Sequence, residues 1–252
     1  MSDVQIADLT IILIFAPRRK ADWLTAKKRI KTILLMVLNY QICSPETMER
    51  AICELGIVPF FTSAIPGYSI KELTQPGFWF DGEEDSLGPW DWKIDCLQNG
   101  GIAYGKFLCG GKAAFATVPF YRELMNVRRA TTTPDKNGER IMDYLEKQGS
   151  ITIKEVRNLL GVKKGQADAA ICKLMQQCRV VTGAIERVYR GPEQVYSGWQ
   201  VSYFCTPESL FDDFTTLHTD RTPEESLEFL VDHITKLTDG TASRKQVLKV
   251  LK

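Results

Sequence analysis

Aromatic and cationic side chains alternate in two short stretches of the sequence, a pattern suited to stacking on bases and holding phosphates. Trp90 and Trp92 are two residues apart, so an extended chain places both on one face and Lys93 on the other. Tyr104 and Lys106 likewise share one face of a predicted strand. Indole rings beside lysines can stack a flipped or single-stranded base and bind its phosphate. These five residues form the predicted pocket, and the alternative is a core in which the wide rings hold a loop onto a sheet.

Carboxylates surround the tryptophans and act against phosphate binding. They are Asp81, Glu83, Glu84, Asp85, Asp91 and Asp95. Acidic side chains repel phosphate unless cations such as Lys93 or Lys106 pair with them. The acidity of this stretch therefore favours the aromatic core over an active site.

A second candidate surface is basic and lies between residues 154 and 190. This segment holds eight Lys and Arg residues against three Asp and Glu residues, a net charge of +5. In a helix predicted from about Lys164 to Cys178, the apolar side chains share one face, and Gln166, Lys173 and Gln177 cluster opposite. The alternative for this stripe is a solvated helix face on a protein-binding spacer. The predicted DNA-binding residues are Lys163, Lys164, Gln166, Lys173, Gln177, Arg179, Arg187 and Arg190.

The elements around the basic surface follow the order of a winged helix. A first helix centres on Ile141, and a second begins with a capping box formed by Thr152 and Glu155. After the third helix, strand-like runs over 179–188 and 195–205 are joined by a turn the size of a wing. In a winged helix the third helix usually lies in the major groove and the wing contacts the DNA backbone. The expected partner is therefore duplex DNA.

The remaining patterns complete an α+β protein: a small β-meander with helices, followed by the winged helix and carboxyl-terminal helices. Ser44 caps a short helix, and residues 57–93 form an aromatic-rich ordered loop. The meander strands are predicted over 94–98, 102–109 and 113–118. The polar tract 131–138 marks a boundary. The predicted parts are an extension that is helical or poorly ordered (1–43), the aromatic-rich domain (44–130), the winged-helix domain (131–205) and a helical segment (206–252).

Composition excludes several classes of protein. The 252 residues carry 32 Lys and Arg against 31 Asp and Glu, so the formal net charge of +1 gives no strong overall field. Seven cysteines form no C-x-x-C pair and two histidines accompany them, which predicts neither a metal site nor a disulfide framework. The apolar run over 9–16 is shorter than the roughly 20 residues of a membrane span. We expect a cytoplasmic protein without cofactor or metal, whose oligomeric state is open.

The basic amino-terminal stretch has two interpretations. Residues 18–31 hold seven Lys and Arg residues against Asp22. This is an arm for phosphates or a lipid surface, or a helix with a solvated basic face.

Several motifs carry a resemblance to a known family. The most specific is Gly88-Pro89-Trp90-Asp91-Trp92-Lys93, and it is followed by the segment 101–107 and by Gly111-Lys112-Ala113. Residues 198–203, Thr206-Pro207-Glu208 and the closing segment 244–248 agree with the same pattern. Over roughly residues 45–252, the chain resembles the AlkZ-related proteins, bacterial relatives of crosslink-repair DNA glycosylases.

The resemblance implies a protein built from winged-helix units that handles DNA in repair. Glycosylases of this kind excise alkylated bases with a Gln-x-Gln or Gln-x-Asp pair that positions water. The one such spacing here is Gln166-Ala167-Asp168, which falls in the third predicted helix instead of the amino-terminal half. We therefore expect a DNA-binding relative without that catalytic pair and assign no catalytic residue. The alternative is a non-catalytic adaptor whose Trp-rich groove binds a small ligand or a peptide.

Overall fold

The architecture is α+β, as predicted. A computed structural model of the chain describes residues 19–79, 88–98, 100–211 and 216–252. The apolar run over 9–16, the carboxylates at 81–85 and Asn99 of the first meander turn lie outside these ranges. The described chain contains two three-stranded antiparallel sheets surrounded by helices. No helix in these ranges combines the length and apolar character needed to cross a bilayer.

Two helices open the described chain. Helix α1 (Arg19–Leu38) buries apolar side chains such as Leu34, so this part of the amino-terminal extension is a helix packed on the core. Helix α2 (Pro45–Leu55) is capped by Ser44, as the sequence predicts, and the cap is a capping box with Thr47; Gly56 follows the last helical residue.

The first sheet uses a strand that the sequence reading missed. Strand β1 (Ile57–Pro59) and helix α3 (Ile70–Leu73) lie within the predicted loop, and helix α4 (Pro89–Gln98) follows. Strands β2 (Ile102–Leu108) and β3 (Lys112–Thr117) confirm two of the three predicted meander strands. The order in the sheet is β1-β3-β2, so β1 takes the outer place opposite β2.

The strand predicted over 94–98 is wrong, because these residues form the second half of α4. Pro89 occupies the first turn of the helix, where its missing N–H is not needed, and the N–H groups of Asp91 and Trp92 donate to the Gly88 carbonyl at 2.9 and 3.0 Å. A five-residue apolar run has no period that separates strand from helix. A helix turns 100° per residue, so Trp90 and Trp92 do not share a face.

The second sheet lies in the segment predicted as a winged helix. Helix α5 (Val118–Thr131) leads from the first sheet into a run of six elements, with a sheet order of β4-β6-β5. The hairpin strands and the capping box at Thr152 are confirmed. The elements are α6 (Lys136–Gln148), β4 (Ile151–Thr152), α7 (Ile153–Leu160), α8 (Lys164–Gln176), β5 (Val181–Arg190) and β6 (Val195–Cys205).

Two apolar cores support these elements. The larger core joins the first sheet to α1, α2, α5 and the closing helices α9 (Pro207–Leu210), α10 (Pro223–Leu237) and α11 (Arg244–Leu251). The smaller core lies among α6, α7 and α8. Side chains at the base of the second hairpin, including Val181 and Cys205, belong to the larger core. Phe204 of the same hairpin belongs to the smaller core, so the hairpin is anchored in both. The division of the chain into four parts stays a prediction.

Candidate nucleic-acid interface

A groove of about 1220 Å³ lies between the two sheets. Helix α4 and strand β2 form one wall with Trp90, Lys93, Tyr104 and Lys106, while α7, α8 and β6 form the other. Four of the five predicted pocket residues therefore line one groove. The fifth, Trp92, does not line the groove. Trp92 and Tyr104 are both 8% exposed and both belong to the larger core.

Asp91 fastens α4 to the β5–β6 hairpin. Its carboxylate accepts hydrogen bonds from the Arg187 guanidinium at 2.8 Å and from the Tyr196 hydroxyl at 2.7 Å. Burial raises the pKa of Asp91, but these hydrogen bonds outweigh burial and leave the pKa below its ordinary value. The Arg187 guanidinium also lies 3.7 Å from Asp95. Arg187, one of the predicted DNA-binding residues, is thus held by two carboxylates of α4.

Lys93 makes a second connection between the walls. It is 2% exposed, and its ammonium donates to the Trp90 carbonyl oxygen and to the Gln200 side-chain oxygen. The ammonium also lies 3.8 Å from the centre of the Trp90 ring. Burial lowers the pKa of Lys93 to about 7, with Arg187 adding to that effect and Asp91 opposing it. Lys93 therefore supports the groove instead of offering a free charge to a ligand.

This burial predicts a pH-dependent stability. Because the folded-state pKa of Lys93 is about 7 and its ordinary value is 10.5, the unfolded chain binds an extra proton between these pH values. The contribution of Lys93 to the free energy of unfolding should therefore rise from pH 7 to pH 10, by up to about 4 kcal/mol. Urea unfolding of the wild type and of Lys93→Met across this range measures it. The free energy of unfolding of the wild type should increase relative to that of Lys93→Met as the pH rises. Parallel pH profiles of the two proteins would contradict the lowered pKa of Lys93.

Four other cations line the groove without an internal partner. Lys106 comes from β2, Lys154 and Arg157 from α7, and Lys164 from α8. All four are exposed, and none has an ion pair or a side-chain hydrogen bond with another described residue. Lys154 and Arg157 are three residues apart and share one face of their helix. A concave surface with several uncompensated cations attracts an anionic ligand.

The groove also contains two carboxylates in its described part. Glu155 accepts a hydrogen bond from the Thr152 N–H at 2.7 Å as part of the helix cap. Asp168 faces the groove from α8. Gln166, two residues earlier, does not line the groove, because positions two apart on a helix point in nearly opposite directions. Its side-chain oxygen accepts the Lys163 N–H at 3.2 Å. Gln166 and Asp168 therefore do not converge on one ligand atom.

The predicted face of α8 is only partly available. The Lys173 ammonium pairs with Asp135 at 2.8 Å. Gln177 is 6% exposed and donates to the Thr133 carbonyl at 2.9 Å, so its placement on an exposed stripe is wrong. The physical reason is that Gln177 lies just after α8, and the residue that follows it, Cys178, is fully buried. Lys164 is the one predicted DNA-binding residue that the groove includes.

The three other predicted cations have different surroundings. Lys163 is exposed at the start of α8. Arg179 donates to the Thr132 carbonyl at 3.0 Å. Arg190 is exposed near the tip of the hairpin, and its guanidinium lies 5.3 Å from the ring centre of Trp199. The three residues are spread over the segment 136–205, which we call the second sheet unit, and they do not form one cluster with Lys164.

The turn between β2 and β3 positions α8 at the groove. Gly111 has φ of +98°, and a Cβ there would stand 2.4 Å from the Gln176 side-chain nitrogen and 2.9 Å from the Cys172 sulfur. Only glycine combines this backbone conformation with so close an approach. Nearby, the Lys106 N–H donates to the Met175 sulfur at 3.3 Å. The turn thus places Lys106 and α8 on opposite sides of one groove.

The motifs of the family resemblance meet at this site. Lys93 of the first motif bonds to Gln200 of the segment 198–203, and Tyr104 and Lys106 of the segment 101–107 line the groove. The sequence reading did not assign Lys154, Arg157, Trp199 or Gln200 to the site. Lys154 and Arg157 could have been found from the basic segment that begins at Lys154. Trp199 and Gln200 could have been found from the motif over 198–203.

Among the described residues, no group of three or more His, Cys, Asp or Glu side chains is arranged to hold a metal ion. All seven cysteines are free.

Comparisons with known proteins give one match. No curated protein and no solved structure matches the chain. The family described as AlkZ related matches residues 42–252, which is most of the chain and includes every element that builds the groove. The chain belongs to the AlkZ-related family.

Proposed function

We propose that this protein binds duplex DNA along the groove between its two sheets. The observation that carries the proposal is the convergence of Lys106, Lys154, Arg157 and Lys164, which come from three elements and lack partners among the described residues. Phosphate contacts from such side chains supply most of the sequence-independent affinity for DNA. Side chains without internal partners lose no ion pair when they bind a phosphate.

Residues 136–205 act as a winged helix in this proposal. The order of α6, β4, α7, α8, β5 and β6 supports the assignment. The first residues of α8 are exposed, with Lys163 at the N-cap and Lys164 at the first helical position, so the positive end of the helix dipole adds to their charge. The hairpin β5–β6 takes the place of the wing. The DNA would contact the first turns of α8 together with the groove cations.

The family membership makes DNA repair the setting that we propose. We assign no base-excising step, because Gln166 and Asp168 point in different directions and no other Gln-x-Gln or Gln-x-Asp pair occurs in the sequence. The competing function is an adaptor that binds a peptide or small ligand through the aromatic side chains of the groove.

Salt dependence separates DNA binding from the adaptor function. If four cations each contact a phosphate, the logarithm of duplex affinity should fall with the logarithm of salt concentration with a slope of about −3.6. Fluorescence anisotropy with a labelled duplex measures this slope. Absence of duplex binding at low salt, or a slope near zero, would reject the proposal. A Lys163→Glu/Lys173→Glu variant tests in the same assay whether the predicted face of α8 contributes.

A further inference from the structure

Trp199 is an exposed aromatic side chain at the edge of the cationic groove. It lies on β6, and 56% of its surface is exposed. It also lines the groove together with Lys154 and Lys164. An indole ring is a large apolar surface, and exposing it to water is unfavourable unless a ligand covers it.

The local packing presents the ring as a platform. Arg190 lies over the ring, with its guanidinium 5.3 Å from the ring centre. This contact covers part of one face, and the exposed surface leaves room for a planar ligand. Arginine next to an aromatic ring also strengthens stacking with a base through its positive charge.

The cations of the groove define which planar ligand fits. Lys106, Lys154, Arg157 and Lys164 attract a polyanion, whereas Trp199 offers a stacking face beside them. Inside paired duplex DNA the base faces are already stacked on one another, whereas an unpaired nucleotide supplies a free face and a phosphate together.

We propose that Trp199 stacks against an unpaired base, so that the groove prefers DNA with a bulged or unpaired nucleotide over fully paired duplex. This inference rests on the proposed DNA binding and adds the structural class of DNA. The groove cations hold the backbone on both sides of the unpaired nucleotide. Trp199 provides the preference.

The test compares a paired duplex with a duplex of equal length that carries a bulge containing 2-aminopurine. The wild type should bind the bulged DNA about 5- to 150-fold more tightly, as expected for stacking of one base. Binding should also quench the fluorescence of 2-aminopurine. Trp199→Ala should lose both the preference and the quenching, so that its affinities for the bulged and the paired DNA become about equal.

The matched control is Trp23→Ala, which removes a tryptophan of α1 that is 44% exposed and does not line the groove. It should keep the preference and the quenching. A circular dichroism spectrum equal to that of the wild type checks the fold of both variants, and Trp199→Phe should retain part of the preference.

Equal affinity of the wild type for both DNAs, or an unchanged preference in Trp199→Ala, would overturn the inference. Failure of the wild type to bind either DNA would instead reject the proposed function.

Discussion

Replacing Lys106, Lys154, Arg157 and Lys164 together by glutamine is expected to lower the affinity for duplex DNA about a thousandfold at about 0.1 M salt. Each phosphate contact releases close to one condensed counterion, so four lost contacts remove about 3.6 from the salt slope. The side chains are exposed and have no partners among described residues, so each substitution should change the free energy of unfolding by less than about 0.5 kcal/mol. Anisotropy titrations at several salt concentrations measure both the affinity and the slope.

The matched control removes the same charge elsewhere. Lys136, Lys147, Lys245 and Lys249 are exposed cations of α6 and α11 that do not line the groove. Their replacement by glutamine should change duplex affinity far less than the groove variant does. Equal losses in the two variants would mean that overall charge, and not the groove, determines binding.

The second large effect concerns the two tryptophans of α4, of which Trp92 is buried in the core and Trp90 lines the groove. Trp92→Ala should lower the free energy of unfolding by about 3 to 5 kcal/mol, because the indole is buried in the larger core, with its ring centre 5.4 Å from that of Phe78. Trp90 is half-buried at the groove, so its replacement by alanine should cost less, about 1 to 2 kcal/mol. Urea midpoints of both variants measure the difference.

A larger loss of unfolding free energy in Trp92→Ala than in Trp90→Ala distinguishes a core residue from a groove residue. Trp23→Ala serves as the reference for an exposed tryptophan, and it should lower the free energy of unfolding less than Trp90→Ala does. If Trp92→Ala has a near-wild-type midpoint, or if Trp90→Ala is the more damaging change, the description of α4 is wrong.

Local signals predicted most elements of the second sheet unit. The capping box at Thr152, the apolar face of α8 and the alternating runs of the hairpin each depend on residues close in sequence, and all three appear where expected. The wrong prediction of a strand over 94–98 also came from a local signal. Residues 94–98 alone do not distinguish strand from helix, and the deciding feature is the start of the helix at Gly88 and Pro89.

The composition of the site was less predictable, because it depends on pairing between distant residues. Arg187 and Lys173 looked like free cations in the sequence, but Asp91 and Asp135 neutralise them across gaps of 96 and 38 residues. Lys93 looked like a phosphate ligand, and it is instead buried against Gln200. Charge alone predicted a basic segment, whereas contacts between distant elements determine which cations remain free.

Position-specific crosslinking tests the central claim most directly. Asn158 is an exposed residue of α7 that lines the groove, and Lys147 is an exposed residue of α6 that does not. The photoreactive amino acid p-benzoylphenylalanine is placed at one position or the other, and each protein is irradiated with labelled duplex DNA. We predict a protein–DNA product from position 158 that unlabelled duplex and high salt suppress, and little product from position 147. Equal products from both positions, or none from position 158, would contradict binding of DNA in the groove.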